Sequence, residues 1–300
     1  MKSRRFTLAE RMLALENEVE SLRREILEEN HQRIVGALIR RGLRGYEKKP
    51  EPPLLPQEQK WREEFYRYLK KYSFRLFLRD VIKHKDSFSL RDLVRYCSEE
   101  SAERYLAFLV RCGLVVSARD GCFKLKEIGI SSFGETLEWL VCQILEREFY
   151  LPSLAGFRVK ANRGGGDYDV VALMEGSLVY VETKSSPPKH LGQRDIQAFF
   201  ERLDVLTPGL AIYLEDTQLR MGDKMAPMFE TELDRRIGPS WRTKCPLRRL
   251  EREIFGIDDR LFVINSDPDL IANLGFCLSR YLRCRAAGPS LSGQSAPTEK

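Results

Sequence analysis

The chain has 300 residues, of which 43% are hydrophobic and 10% aromatic, and 50 basic against 44 acidic side chains give a formal charge of +6. This length predicts roughly two domains with a sizeable core. The small basic excess is compatible with a polyanionic partner but does not require one. Seven cysteines without a CxxC pair and three histidines without ligand spacing argue against a disulfide framework and a structural zinc site. We therefore expect a reduced, cytoplasmic protein.

The N-terminus, MKSRRFTLAERM, runs directly into a charged segment and contains no apolar signal region. No window of about 18 apolar residues occurs in the chain, which is the length that a membrane-spanning helix needs. The sequence therefore predicts neither secretion nor a membrane span.

Residues 7–41 are predicted to form one long helix that begins with Thr7 and Glu10 in capping-box spacing. Apolar residues recur in this helix at alternating steps of four and three, the spacing of a coiled-coil seam: Leu8, Met12, Leu15, Val19, Leu22 and Ile26. Such a stripe packs either on its own domain or on a second copy. We favour a homodimer because the polar majority of the helix cannot enter a core, and we assign residues 1–45 to a coiled-coil helix.

Residues 46–60 contain a cluster of prolines and are predicted to be a linker. Helical spacing returns at Trp61, a second helix is predicted to begin at Ser89, and a third ends at Gly113. A hairpin is then predicted around Asp120-Gly121. This order, over residues 61–130, resembles the winged helix-turn-helix family, whose last helix reads the major groove. That helix is acidic at its start here, so contact with a DNA backbone and contact with a protein both stay open.

Residues 131–285 alternate between helical and strand patterns and are predicted to form the second domain. A helix, a run of three strands, a helix and a further strand indicate an α/β fold with a mixed sheet. The small, polar segment 286–300 is predicted to be a disordered tail.

The hairpin within GGGDYDVVALMEGSLVYVETKSSPP, residues 164–188, carries charge where strands usually avoid it. Because side chains alternate along a strand, Glu182 and Lys184 share one face and Thr183 has the other. Counting from the MEGS turn pairs residue 173 with 178, and so places Asp169 opposite Glu182.

Two carboxylates that face each other across paired strands repel, and both ionise most readily with a cation between them. Oxygen ligands from Asp169, Glu182 and the Thr183 carbonyl are suited to Mg²⁺, with Mn²⁺ as a substitute. A lysine such as Lys184 beside the ion can orient or deprotonate a water and neutralise charge on a phosphate. The alternative is a structural Lys-Glu pair at a sheet end.

Gly134-x-x-x-Glu138 on a helix, followed by GGGDYDVVA and VYVETK, resembles the PD-(D/E)XK nuclease superfamily, most closely its Holliday junction resolvase and Mrr-like branch. The resemblance implies a restriction endonuclease-like core, a mixed sheet flanked by helices. It implies that Glu138, Asp169 and Glu182 bind the metal and that these three and Lys184 form the catalytic set. Glu135 is the alternative helix acid. Tyr168 stands where the superfamily has a proline.

Residues around this motif are predicted to contact nucleic acid. Arg163 lies in a glycine-rich loop, and Lys189 follows the predicted strand that contains Glu182 and Lys184. Arg194 and Gln197 lie at the start of the next predicted helix. We therefore expect a Mg²⁺-dependent endonuclease that acts on duplex or branched DNA. The alternative is a non-catalytic DNA-binding or regulatory protein that uses the winged helix and a nuclease-like fold.

Overall fold

The computed structural model describes residues 7–43, 45–127, 129–159 and 166–286. Helix α1 spans Leu8–Ile39, and Thr7 is its N-cap residue, as predicted. The Thr7 hydroxyl accepts the Glu10 N–H, and the Glu10 carboxylate accepts the Thr7 N–H. The predicted seam residues are all exposed, whereas Ile34 and Leu38 near the end of the helix are fully buried. Helix α1 therefore has an exposed N-terminal part and a C-terminal part that belongs to the core.

The first residues of the predicted linker form a short strand, β1 (Tyr46–Lys48), which pairs antiparallel with residues 157–159. Leu54 and Leu55, between the prolines, are buried. The proline-rich segment is therefore anchored to the molecule at β1 and at the buried residues 54–56.

A small unit of helices and a hairpin follows: α2 (Gln59–Leu69), α3 (Tyr72–Lys83), α4 (Glu99–Arg111), β2 (Val115–Ser117) and β3 (Phe123–Leu125). The predicted helix after Ser89 is only a short 3-10 turn, Leu90–Leu93. The Ser98 hydroxyl accepts the Ser101 N–H and caps α4, so a helix that begins at Ser89 must end before Ser98. The predicted hairpin around Gly121 is present.

The rest of the described chain contains five α-helices and seven strands: α5 (Gly134–Glu148), β4 (Ser153–Val159), β5 (Gly166–Met174), β6 (Ser177–Lys184), α6 (Gln193–Leu206), β7 (Leu210–Glu215), α7 (Met225–Ile237), α8 (Trp241–Lys244), β8 (Arg248–Glu251), β9 (Ile254–Ile257), β10 (Leu261–Ile264) and α9 (Leu270–Ala286). Four of these helices, α5, α6, α7 and α9, are long enough to cover a sheet.

Eight strands within the described residues form one sheet in the order β1-β4-β5-β6-β7-β10-β9-β8. The pairs β4-β5 and β5-β6 are antiparallel, and the pairs β6-β7 and β7-β10 are parallel. The sheet is therefore mixed and is flanked by helices, which confirms the predicted α/β fold class. The order α5-β4-β5-β6-α6-β7 is the predicted run of a helix, three strands, a helix and a strand.

Two apolar clusters cover the two faces of this sheet. One contains residues of α2 to α5 and α9 together with alternate residues of the strands, such as Val170 and Val181. The other contains the end of α1, α6 and α7 together with Tyr180 and Tyr213. The small unit of α2 to α4 shares the first cluster with α5, so its core is continuous with that of the sheet.

A buried ion pair joins the small unit to the sheet. Arg75 on α3 donates to Asp216, directly after β7, at an Nη2 to Oδ1 distance of 2.8 Å, and both side chains are almost completely buried. Arg79 also contacts Asp216. Because a charge buried without its partner is costly, this contact fixes α3 against the end of β7.

All seven cysteines are free thiols. None of the helices within the described ranges combines the length and apolar character needed to cross a bilayer. Residues 287–300, nearly all of the predicted disordered tail, lie outside the described residues.

Candidate functional site

The charged hairpin has the predicted register, with Leu173 opposite Leu178. The ladder between β5 and β6 continues to the pair Val170 and Val181. Beyond that pair, β5 stays hydrogen-bonded to β4, while β6 stays paired with β7 as far as Lys184. The two strands therefore diverge at Asp169, and the charged residues lie at this divergence.

Asp169 occupies the gap between the diverging strands. Its Oδ2 accepts the backbone N–H of Thr183 at 2.7 Å and the Thr183 hydroxyl at 3.2 Å. Burial, and then the negative charge of Glu182, raise the pKa of Asp169 to about 7. The Asp169 carboxyl group thus takes the place of a backbone acceptor in the β5-β6 ladder. Its ionised form is poorly solvated because the group is buried.

Glu182 and Lys184 project from the same face of β6, as strand alternation predicts, and Lys184 Nζ donates to Glu182 Oε1 at 2.7 Å. Burial lowers the pKa of Lys184, but the charge and hydrogen bond of Glu182 outweigh that effect, and the pKa is raised. Tyr180 also donates its hydroxyl to Glu182. Lys184 is therefore held as a cation beside an almost fully buried acid.

Arg202 on α6 is the second cation at Glu182, and it was not predicted from the sequence. Its Nη1 lies 2.9 Å and 3.0 Å from the two carboxylate oxygens of Glu182. A signal was present, since Arg202 lies three residues after Phe199 and four before Leu206, which are both buried. A cation on the apolar side of a helix needs an anionic partner.

Glu138 reaches the same region from α5, with its side chain 12% exposed. Burial, and then the charge of Asp169, raise the pKa of Glu138 to about 8. Lys49 Nζ lies 3.9 Å from Glu138 Oε2, a contact that was also missed because Lys49 falls in the predicted linker. Gly156, at a φ of 59°, allows this approach: a Cβ there would lie 3.3 Å from Glu138 Oε2.

Two neighbouring acids, Glu135 (the alternative helix acid) and Asp167, have other surroundings. Glu135, one turn before Glu138, is exposed. Asp167 pairs with Arg158 at 2.7 Å and with Lys49 at 3.3 Å. Of the two helix acids, Glu138 is the one that lies in the buried surroundings of Asp169.

The residues predicted to contact nucleic acid differ in their exposure to solvent. Lys189 and Arg194 are exposed, and Gln197 on α6 is half-buried. Arg163 lies outside the described residues. The structure thus places Asp169 within electrostatic reach of Glu138 on one side and of Glu182 and Lys184 on the other, and leaves two of the predicted contact residues exposed.

The donor set of this candidate site consists of carboxylate oxygens, which suit a hard divalent cation. Burial favours protonation of Glu138 and Asp169, and a cation would favour their ionised forms instead. The carboxylate of Glu182, however, is already bound by Tyr180, Lys184 and Arg202. In the part of the chain that the structure describes, no three Asp, Glu, His or Cys side chains are grouped closely enough to hold a metal ion.

Fold and site together define an α/β protein with a buried acidic site where a β-hairpin opens. No protein-family model matches the chain. No curated protein sequence matches it.

Two solved structures are similar to the fold. Protein VC1899 from Vibrio cholerae aligns with 82% of this chain and 60% of its own, at a TM-score of 0.46 and 17% identity. Can2 from Sulfobacillus thermosulfidooxidans, in complex with cyclic tetra-adenylate, aligns with 75% of this chain and 52% of its own, at a TM-score of 0.39 and 11% identity. The chain thus spans between half and two thirds of the length of each. At these TM-scores neither similarity defines a family or an activity.

Proposed function

We propose that the chain is a divalent-metal-dependent endonuclease of the PD-(D/E)XK type that hydrolyses phosphodiester bonds in DNA. The observation that carries this proposal is the divergence of β5 and β6 at Asp169, which places one acid from each strand and Lys184 around the same opening. Glu138 joins them from α5, in the order that the sequence motif requires.

Asp169 and Glu138 are proposed to hold a Mg²⁺ ion, with Mn²⁺ as a substitute. Glu182 and the Thr183 carbonyl complete the proposed set, which requires Glu182 to share its carboxylate between the ion and its present donors. When bound, the ion would polarise the phosphate and lower the pKa of a water.

Lys184 is proposed to orient the attacking water and to stabilise charge that develops on the phosphate. Its hydrogen bond to Glu182 restricts the side chain, and the same carboxylate keeps it protonated. Arg202 is proposed to balance the charge of Glu182 whenever Lys184 contacts substrate.

Duplex or branched DNA is the proposed substrate. Lys189 and Arg194 are exposed close to the end of β6, where a phosphate backbone can reach them. Gln197 and Arg163 are proposed to add contacts to the same strand.

The second candidate function is that of a non-catalytic DNA-binding or regulatory protein. The observation that favours it is the saturation of Glu182 by Tyr180, Lys184 and Arg202, an arrangement that also serves as a purely structural network.

Cleavage assays separate the two functions. Plasmid, linear duplex and four-way-junction DNA, with an RNA of matching sequence, are incubated with the protein in Mg²⁺, Mn²⁺ or EDTA. We expect metal-dependent cleavage that falls on the order of 100-fold or more in Lys184→Ala and Asp169→Asn. Asp204→Asn, at an exposed acid that pairs with Arg236, is the matched control and retains activity.

Cleavage that is equal in all variants, or absent with every substrate and metal, contradicts the proposal. DNA binding without cleavage then supports the non-catalytic function. Calorimetric titration with Mn²⁺ adds a readout that needs no activity: binding is expected in the wild type and is weakened by Asp169→Asn.

We also propose that the exposed part of α1 forms a coiled coil with a second copy of the chain. The six seam residues from Leu8 to Ile26 are between 47% and 76% exposed, which is unusual for a regular apolar stripe. Three heptads are marginal for an isolated dimer. A dimer would bring two candidate sites to one DNA, which suits cutting both strands of a duplex or branched junction.

A further inference from the structure

A cavity of about 540 Å³ lies directly beside the candidate site. Glu138 and Gly156 belong to its wall, and the rest comes from α1, β1 and the loop that follows it, α2, α5 and the start of β4. Its volume falls within the roughly 300–1,000 Å³ that small-molecule sites occupy. The cavity is therefore large enough for an organic group that enters next to a reacting phosphate.

Trp139 supplies an aromatic surface in this wall. It follows Glu138 in α5, is partly buried, and packs against Phe65 with a ring-centroid distance of 6.4 Å. The contact with Phe65 holds the indole ring of Trp139 in position. A nucleic-acid base stacks well on such a ring whatever its identity, because every base has a π-face.

One turn further along α5, Gln143 and Glu146 add polar groups to the same wall. Gln143 Nε2 donates to Glu146 Oε2 at 2.8 Å, and Gln143 Oε1 accepts from Arg147 Nε at 2.8 Å. The amide orientation is thus fixed, with one N–H left for another acceptor. Burial raises the pKa of Glu146 to about 7, so this carboxyl group can donate as well as accept hydrogen bonds.

Lys49 lies between the cavity and the acids of the candidate site. It lines the cavity, and its ammonium group lies 3.9 Å from Glu138 and 3.3 Å from Asp167. A phosphate bound between the cavity and the candidate site would contact Lys49 on the cavity side and the proposed metal ion on the opposite side.

We propose that this cavity receives one unpaired nucleotide of the cut strand, with its base on Trp139 and the base edge towards Gln143 and Glu146. The inference rests on the proposed function, because the strand reaches the cavity past Glu138. A base inside the cavity cannot be paired, so the substrate must be single-stranded or frayed at this position, as it is at a branch or a loop. Fully paired duplex must lose one base pair to bind.

An abasic scan tests this inference without cleavage. Labelled single strands that lack one base at successive positions are titrated against Lys184→Ala protein, and fluorescence anisotropy gives the dissociation constants. We expect one position at which loss of the base weakens binding roughly 5- to 150-fold, the range of a single stacked base. In Trp139→Leu on the same background, that position should become no more sensitive than its neighbours. An RNA series shows which sugar the strand carries.

Trp139→Phe keeps a stacking surface and should retain most of the effect. Trp61→Leu, at a tryptophan outside the cavity wall, should leave it unchanged, and circular dichroism checks that each variant is folded. A flat scan, an effect that survives Trp139→Leu in folded protein, or no binding of nucleic acid overturns the inference. A positive scan with no cleavage by the wild type would support the cavity while contradicting the nuclease proposal.

Discussion

Replacing Gly156 by alanine tests how closely the backbone of β4 positions the candidate site. Gly156 has a φ of 59°, in the left-handed region, where a Cβ costs about 1–2 kcal/mol. The new Cβ would lie 3.3 Å from Glu138 Oε2 and 3.3 Å from Lys49 Cδ, so both side chains must shift by a few tenths of an ångström. A misplacement of about 1 Å can cost roughly 100-fold in rate, so a roughly tenfold loss of cleavage is expected here.

Gly176 at the turn of the same hairpin is the matched control. Its φ is 76°, and a Cβ there would meet nothing within 4 Å. Both alanine variants should therefore lose about 1–2 kcal/mol in urea unfolding. Only Gly156→Ala should lose Mg²⁺-dependent cleavage and Mn²⁺ affinity, measured where both variants are folded. Equal rates and affinities in the two variants would refute the proposed role of Glu138.

Three further perturbations test other parts of the molecule. Arg202→Met removes two charge-assisted hydrogen bonds from Glu182, which is 1% exposed, and should destabilise the protein by about 1.5–3 kcal/mol in urea unfolding. Arg280→Met is the control: it removes a more exposed ion pair and should cost less than about 1 kcal/mol. Equal losses of stability in the two variants would contradict this reasoning. Burial raises the pKa of Glu215 from its usual 4.5 to about 8, so the folded state keeps a proton that the unfolded state releases. Stability should therefore fall as the pH rises from about 4.5 to about 8, and Glu215→Gln should flatten that fall; two parallel stability curves would count against it. Leu15→Glu in the exposed seam should halve the mass measured by sedimentation, whereas an unchanged mass would remove the coiled-coil proposal.

The core of the candidate site was predictable because its geometry is local. Alternation along β6 sets Glu182 and Lys184 on one face, and a short turn fixes which residues of β5 lie opposite. The same reasoning gave the fold class, since the order of helices and strands limits how a sheet can be covered. The capping box at Thr7 was equally local and is present.

The parts that were missed depend on segments that meet only after folding. Arg202 reaches Glu182 because α6 packs over the sheet, and Lys49 reaches Glu138 because β1 joins the sheet edge. The separation of the apolar stripe of α1 into an exposed part and a buried end likewise depends on where the helix meets the sheet. No short-range sequence pattern predicts these contacts between distant segments.

The sequence by itself determined the α/β class, the register of the hairpin and the common face of Glu182 and Lys184, because each follows from chain connectivity and strand geometry. Only the tertiary structure decided what surrounds the carboxylates. Burial raises the pKa values of Glu138 and Asp169, and the opening between β5 and β6 gives Asp169 a backbone partner in Thr183. Solvation and long-range charge depend on how distant segments pack, and that is why the local sequence does not specify them.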